Sequence, residues 1–141
     1  MYRQDGRVFL ATICTRDGRN VFSAIGFGET CLGLLRELRA ARGNPVFAYC
    51  LMPDHAHLVV GVHQDCPLPS FVQAWKSLCA KAWRELGGGR SFWQRSFHDR
   101  ALRRWDHLQS ACLYVLANPV RRGLVGDWRE YPLCGSLEWE L

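Results

Sequence analysis

The spacing of apolar residues changes along the chain, and each change marks an element. Residues 8–15 (Val-Phe-Leu-Ala-Thr-Ile-Cys-Thr) are apolar and β-branched and run into Asp17-Gly18, which predicts a strand closed by a turn. Between 29 and 42, Leu32, Leu35 and Leu38 recur at helical spacing, and Gly43 ends the segment. Pro45 opens Val46-Phe47-Ala48-Tyr49-Cys50-Leu51-Met52, which is apolar on both faces and so reads as a central strand covered on at least one side. After a break at Pro53-Asp54 comes His55-Ala56-His57-Leu58-Val59-Val60, and so abrupt a return predicts an antiparallel hairpin. From 67 to 86, Leu68, Phe71, Val72, Trp75, Leu78, Cys79, Ala82 and Leu86 trace one helical stripe. Gly87-Gly88-Gly89 stops it; the triplet serves as a surface loop or a hinge. Residues 91–102 alternate loosely and supply a fourth strand, 104–118 supply a third helix, and the tail after Val125 is read as irregular packing over the core.

The order strand, helix, strand, strand, helix, strand, helix is the split β-α-β arrangement of ferredoxin-like folds. The expectation is an α+β fold, an antiparallel sheet with helices packed mainly on one face and the other face open. One domain over residues 1–141 accommodates it.

Composition narrows this picture. Hydrophobic residues make up 48% of the chain, enough for a packed core, yet no apolar run reaches the roughly 20 residues of a membrane span. No basic-then-apolar leader opens the sequence, so a cytoplasmic, nucleoid-associated protein with no membrane partner is expected. The seven cysteines are scattered, odd in number and never in a C-x-x-C pair. That pattern excludes a zinc ribbon and a secreted disulfide framework, leaving reduced thiols used as small core residues. A net charge of +5 suits a nucleic-acid partner without requiring one. Lys76, Lys81, Arg84, Arg90, Arg95, Arg100, Arg103, Arg104, Arg121 and Arg122 crowd the second half. Interleaved with Trp83 and Trp93, they are candidates for gripping phosphates and stacking bases; a solvated surface would also look like this. Trp75 and Trp105 sit on apolar stripes and are assigned to the core.

Alternation along a strand places His55 and His57 on one face and Ala56, Leu58 and Val60 on the other. Side-by-side imidazoles are an economical way to hold a divalent ion, although two polar residues on a wet face would show the same pattern. On the third helix, at 100° per residue, Trp105, Leu108, Cys112, Val115 and Leu116 form the apolar stripe. His107, Ala111, Tyr114 and Asn118 form another, which makes Tyr114 and Asn118 neighbours. Tyr114 also fits a boundary tyrosine with a wet hydroxyl, and Asn118-Pro119 fits the cap and first turn of a new short helix. His63 and His98 carry bland readings of their own, as surface and packing residues.

Three ordered segments carry a family resemblance: residues 52–58 (MPDHAHL), 92–100 (FWQRSFHDR) and 114–125 (YVLANPVRRGLV). Together they resemble the single-tyrosine HUH transposases, in particular the REP-associated tyrosine transposases, over nearly the whole chain. The resemblance implies a ferredoxin-like fold and an enzyme that cuts and rejoins single-stranded DNA beside REP-like hairpins. It implies Tyr114 as the nucleophile, forming a 5′-phosphotyrosine, with His55 and His57 binding Mg²⁺ or Mn²⁺ and Asn118 completing the metal site. Lys76, Lys81, Arg95, Arg100, Arg103, Arg104, Arg121 and Arg122 are the expected DNA contacts. Relatives of this kind act as monomers or as homodimers, some donating the tyrosine in trans. Asp54 stands where asparagine is commoner, and Arg122 replaces a small residue before Gly123. A catalytically silent hairpin-binding protein and an RNA-directed regulator on the same fold are the alternatives.

Overall fold

The computed structural model describes residues 7–24 and 26–140. Residues 1–6, on which the expectation of no leader partly rests, lie outside the described residues together with Ile25 and Leu141. β1 (Val8–Cys14), β2 (Val46–Met52), β3 (His55–Gly61) and β4 (His98–Leu102) alternate with α1 (Phe27–Arg42), α2 (Leu68–Glu85) and α3 (Trp105–Leu116). The short α4 (Asn118–Arg121) and the two-residue β5 (Cys134–Gly135) follow. The sheet order is β4-β1-β3-β2-β5, and every pairing is antiparallel. The connections β1-α1-β2 and β3-α2-β4 each skip one strand position, which interleaves the two halves as the predicted ferredoxin-like order requires.

Alternation sorts side chains between two layers. Ala11, Ile13, Ala56, Leu58 and Val60 face α1 and α2, where Leu35, Phe71, Val72 and Trp75 complete the larger core. Val8, Ala48, Cys50, Met52 and Val59 face the other way and meet Leu108, Ala111, Cys112 and Val115 of α3. The two long helices thus occupy one face as expected, but the opposite face is not open, because α3 crosses it. Both histidines are only 7% exposed as a result. Gly43 caps α1 in the left-handed region (φ 73°), and its N–H donates to Arg39 O.

The C-terminal tail is more ordered than its composition suggested. β5 pairs with β2 through Tyr49↔Gly135 and Cys50↔Cys134, and a Cβ on Gly135 would come within 2.9 Å of the Tyr49 hydroxyl. Arg39 binds Glu138 through two hydrogen bonds of 2.9 and 2.7 Å, and Glu138 also accepts the Val46 N–H at 3.0 Å. The 91–102 segment contributes a strand only over β4. Phe92 and Trp93 instead plunge into an aromatic cluster with Phe22, Phe27 and Trp83. Trp93, a stacking candidate on sequence, is therefore core, whereas Trp105, assigned to the core, is 54% exposed at the start of α3. Trp75 is fully buried as expected, its indole N–H donating to Cys31 O at 2.9 Å. All seven cysteines are free thiols.

Candidate active site

The site forms where the β2–β3 turn meets the start of α4. Met52 and His55 are directly paired, so Pro53-Asp54 is a two-residue link. The turn is pinned from outside, because Phe22 N–H donates to Pro53 O, and the backbone N–H and hydroxyl of Thr15 both donate to Asp54 O. His55 therefore starts β3 at a fixed point. Register then chooses its surroundings: Cys14 and Met52 flank His55, while Thr12 and Cys50 flank His57.

Each imidazole is oriented through its Nδ1. The Asp54 carboxylate accepts from His55 Nδ1 at 2.8 Å, which fixes the tautomer and leaves the lone pair on Nε2. Thr12 Oγ1 lies 3.1 Å from His57 Nδ1 and holds the second ring in orientation, donating or accepting as the tautomer requires. The rings stand 4.7 Å apart between centroids and nearly perpendicular, at 82°. Burial, helped by the neighbouring His55, Arg121 and Arg122, pushes the His57 pKa down to about 4, so the ring is neutral at physiological pH. A neutral imidazole is the ligating form.

That depression makes a stability prediction for the metal-free protein. The unfolded chain takes up a proton at His57 near pH 6.5, while the folded chain takes it up only near 4. Stability therefore falls as pH drops through that window, by about 3 kcal/mol at most. Urea unfolding between pH 7 and 4 should show this loss, and His57→Gln should flatten the slope by that amount. Parallel curves for the two proteins would refute it.

Tyr114 and Asn118 reach the same cleft from α3 and the start of α4. The apolar stripe of α3 faces the sheet, and Tyr114 lies on its flank, 48% exposed. Its ring centroid is 5.8 Å from that of His57, at 77°. Asn118 is buried and does not cap α4 with its side chain; its Nδ2 donates toward His55 Nε2 at 3.3 Å. A half-turn of the amide would bring Oδ1 to the same point, at the cost of its hydrogen bond from Arg121. Arg121 braces this arrangement. Its guanidinium lies 4.1 Å from the Tyr114 ring centroid, and Nη2 donates to Tyr114 O at 2.9 Å and Asn118 Oδ1 at 3.3 Å. Of the other described tyrosines, Tyr49 is buried and Tyr131 donates its hydroxyl to Leu51 O.

The cleft encloses about 440 Å³ and includes Asp54, His55, His57, Tyr114, Asn118 and the two arginines Arg121 and Arg122. Among the described residues, no three His, Cys, Asp or Glu side chains converge to hold a metal. The donors on offer are instead the two imidazoles and one amide, which fit an ion that keeps several positions for water or phosphate oxygens, as Mg²⁺ and Mn²⁺ do.

The remaining basic candidates scatter. Arg95 lines a neighbouring cleft, Arg100 and Arg103 line a third beside α3, and Lys81 and Arg104 are exposed elsewhere. Lys76 departs from expectation: it is 6% exposed, and its ammonium donates to Gln94 O at 2.7 Å and Arg95 O at 3.4 Å. It tethers a loop and is not a surface contact in this conformation. Thr12 and Gln94, both lining the site, escaped the sequence reading because long-range pairing alone brings them there: strand register for Thr12, and for Gln94 its hydrogen bonds to Cys14 and Lys76 beside the Thr15–Trp93 bridge.

The fold and the cleft define a ferredoxin-like α+β domain built around a strand-borne histidine pair and a helix-borne tyrosine. Residues 9–115 match the family model described as IS200-like transposase, and the chain belongs to that family. None of the curated proteins matches it. Among solved structures, it is similar to a REP-associated tyrosine transposase bound to a REP hairpin, with a TM-score of 0.76 and 19% identity over 95% of this chain and 81% of that one. It is also similar to a protein of Deinococcus radiodurans R1 described provisionally as a transposase, with a TM-score of 0.59 and 22% identity over 84% and 97% of the two chains. Among the described residues, no helix is long and apolar enough to cross a membrane.

Proposed function

We propose that this transposase-family chain is a metal-dependent endonuclease and strand transferase acting on single-stranded DNA beside REP-like hairpins. The observation that carries the reading is the convergence, within one chain, of the Tyr114 ring on the two oriented imidazoles and Asn118. Substrate class is taken from the family and from the hairpin DNA bound by the structurally similar REP-associated transposase.

His55, His57 and Asn118 would hold Mg²⁺ or Mn²⁺, which when bound draws charge from a non-bridging phosphate oxygen and orients the phosphate. The chain's own groups do the rest. Tyr114 Oη loses its proton and attacks phosphorus, the bond to the 3′-oxygen breaks, and that oxygen takes up a proton and leaves as a 3′-hydroxyl. The product is a 5′-phosphotyrosine. Because the phosphoester bond is kept, a second 3′-hydroxyl can attack it and release Tyr114 without ATP. Arg121 holds the phenol ring over the cleft, and Arg122 adds positive charge at its rim. With Tyr114 and the histidines on one chain, each protomer carries a complete site in cis.

Incubation with a DNA hairpin bearing a single-stranded flank and Mn²⁺ tests the reading. A denaturation-resistant protein–DNA adduct is expected. Tight binding without adduct in any metal would point to the silent alternative, and adduct or binding confined to RNA would point to the regulator.

The unusual Asp54 makes a further prediction. Its hydrogen bond to His55 is the kind of outer contact whose loss weakens a metal site by roughly 10–100-fold. Mn²⁺ titration of Asp54→Ala should show a loss in that range. Unchanged affinity would reduce Asp54 to a turn residue.

A further inference from the structure

Beside the active-site cleft, between α2 and residues 91–95, lies a second cleft of about 400 Å³. Arg16, Arg84 and Arg95 open onto it, and none of its lining side chains is acidic. Gln94 lines both clefts, so the two adjoin through that residue. The wall they share is built firmly although it is neither helix nor strand. Gln94 N–H donates to Cys14 O at 3.0 Å, and Thr15 and Trp93 form a β-bridge. The Trp93 indole donates to Lys76 O at 3.1 Å, and Lys76 returns its ammonium to Gln94 O. Burying a lysine to hold two loop carbonyls is costly and fixes the loop, setting a positive charge under the cleft floor.

We infer that this arginine-lined cleft is a second subsite, one that takes a backbone phosphate of the single-stranded DNA flank next to the scissile link. The inference rests on the proposed cleavage of single-stranded DNA. Its chemistry is charge pairing to phosphate: the arginines present forked donors, while Trp93, at 3% exposure, offers no face for a base. Recognition here is therefore independent of sequence and sensitive to salt.

The test compares the full chain with an Arg16→Gln/Arg84→Gln/Arg95→Gln variant, all three side chains being exposed and replaceable without disturbing the core. Fluorescence anisotropy is read on a hairpin with a single-stranded flank and on the same hairpin trimmed to its base, across a salt series. The subsite predicts at least about tenfold weaker binding of the flanked hairpin and a salt slope shallower by about 1, with the trimmed hairpin bound as before. Equal affinity and slope for both proteins would overturn it, as would an equal loss for the trimmed hairpin, which would place duplex there instead. Adduct formation by the unaltered protein is scored in parallel. Flank-dependent binding without adduct supports the subsite while failing the cleavage reading; adduct with no arginine dependence of binding does the reverse.

Discussion

Tyr114→Phe is expected to abolish covalent adduct and lower strand cleavage by about 10⁴-fold or more, while hairpin DNA is bound within about twofold of the unaltered protein. The change removes one oxygen and little else. The phenyl ring keeps its packing on His57 at 5.8 Å and its place under the Arg121 guanidinium at 4.1 Å. Because Tyr114 is half-exposed and off the apolar stripe of α3, folding stability should be unaffected. Loss of activity with retained binding and fold isolates the hydroxyl as the nucleophile. Cleavage surviving in the Phe variant would transfer that role to water or to another side chain.

The second large effect concerns the imidazoles. His55→Ala or His57→Ala should each reduce Mn²⁺-supported cleavage by about 10³-fold, as loss of several kcal/mol of charge stabilisation implies. The double variant should be scarcely worse than either single one, since two ligands of one ion act as a unit. Mn²⁺ titration, followed by the paramagnetic signal of the free ion, should show the affinity falling alongside the rate. Cleavage lost with metal binding intact would mean that the histidines act on the DNA or on Tyr114 directly. His57 is buried, so a circular dichroism melt must accompany its variant.

Much of this architecture was legible in the residues because it rests on local periodicity. The two-residue alternation of His55-Ala56-His57-Leu58 fixed which side chains share a face, and the stripe of α3 placed Tyr114 one turn from Asn118. What the chain order could not supply was register. Thr12 lies 45 positions before His57 and meets it only because β1 pairs with β3, so no local pattern marks it. The same holds for Gln94, which a buried lysine and a β-bridge bring to the cleft. Residues 91–102 read as a strand because apolar and polar residues alternate loosely there, yet before β4 the packing of Phe92 and Trp93 against Phe22 and Phe27 takes precedence over sheet pairing. Trp105 misled in the other direction: it continues the helical stripe, but on the first turn of α3 it stays half-exposed, lining an open apolar cleft with Phe47, Leu116 and Trp139. β5 was missed because a pair of residues is too short to show alternation.

In the proposed reaction the Tyr114 oxygen becomes covalently joined to DNA. Proteolysis of the adduct formed with a flanked hairpin in Mn²⁺, followed by tandem mass spectrometry, reads the attachment site directly. A nucleotide 5′-phosphate is expected on the peptide containing Tyr114 and on no other tyrosine. A phosphate mapped to Tyr2, Tyr49 or Tyr131, or cleaved DNA with no covalently linked peptide, would contradict it.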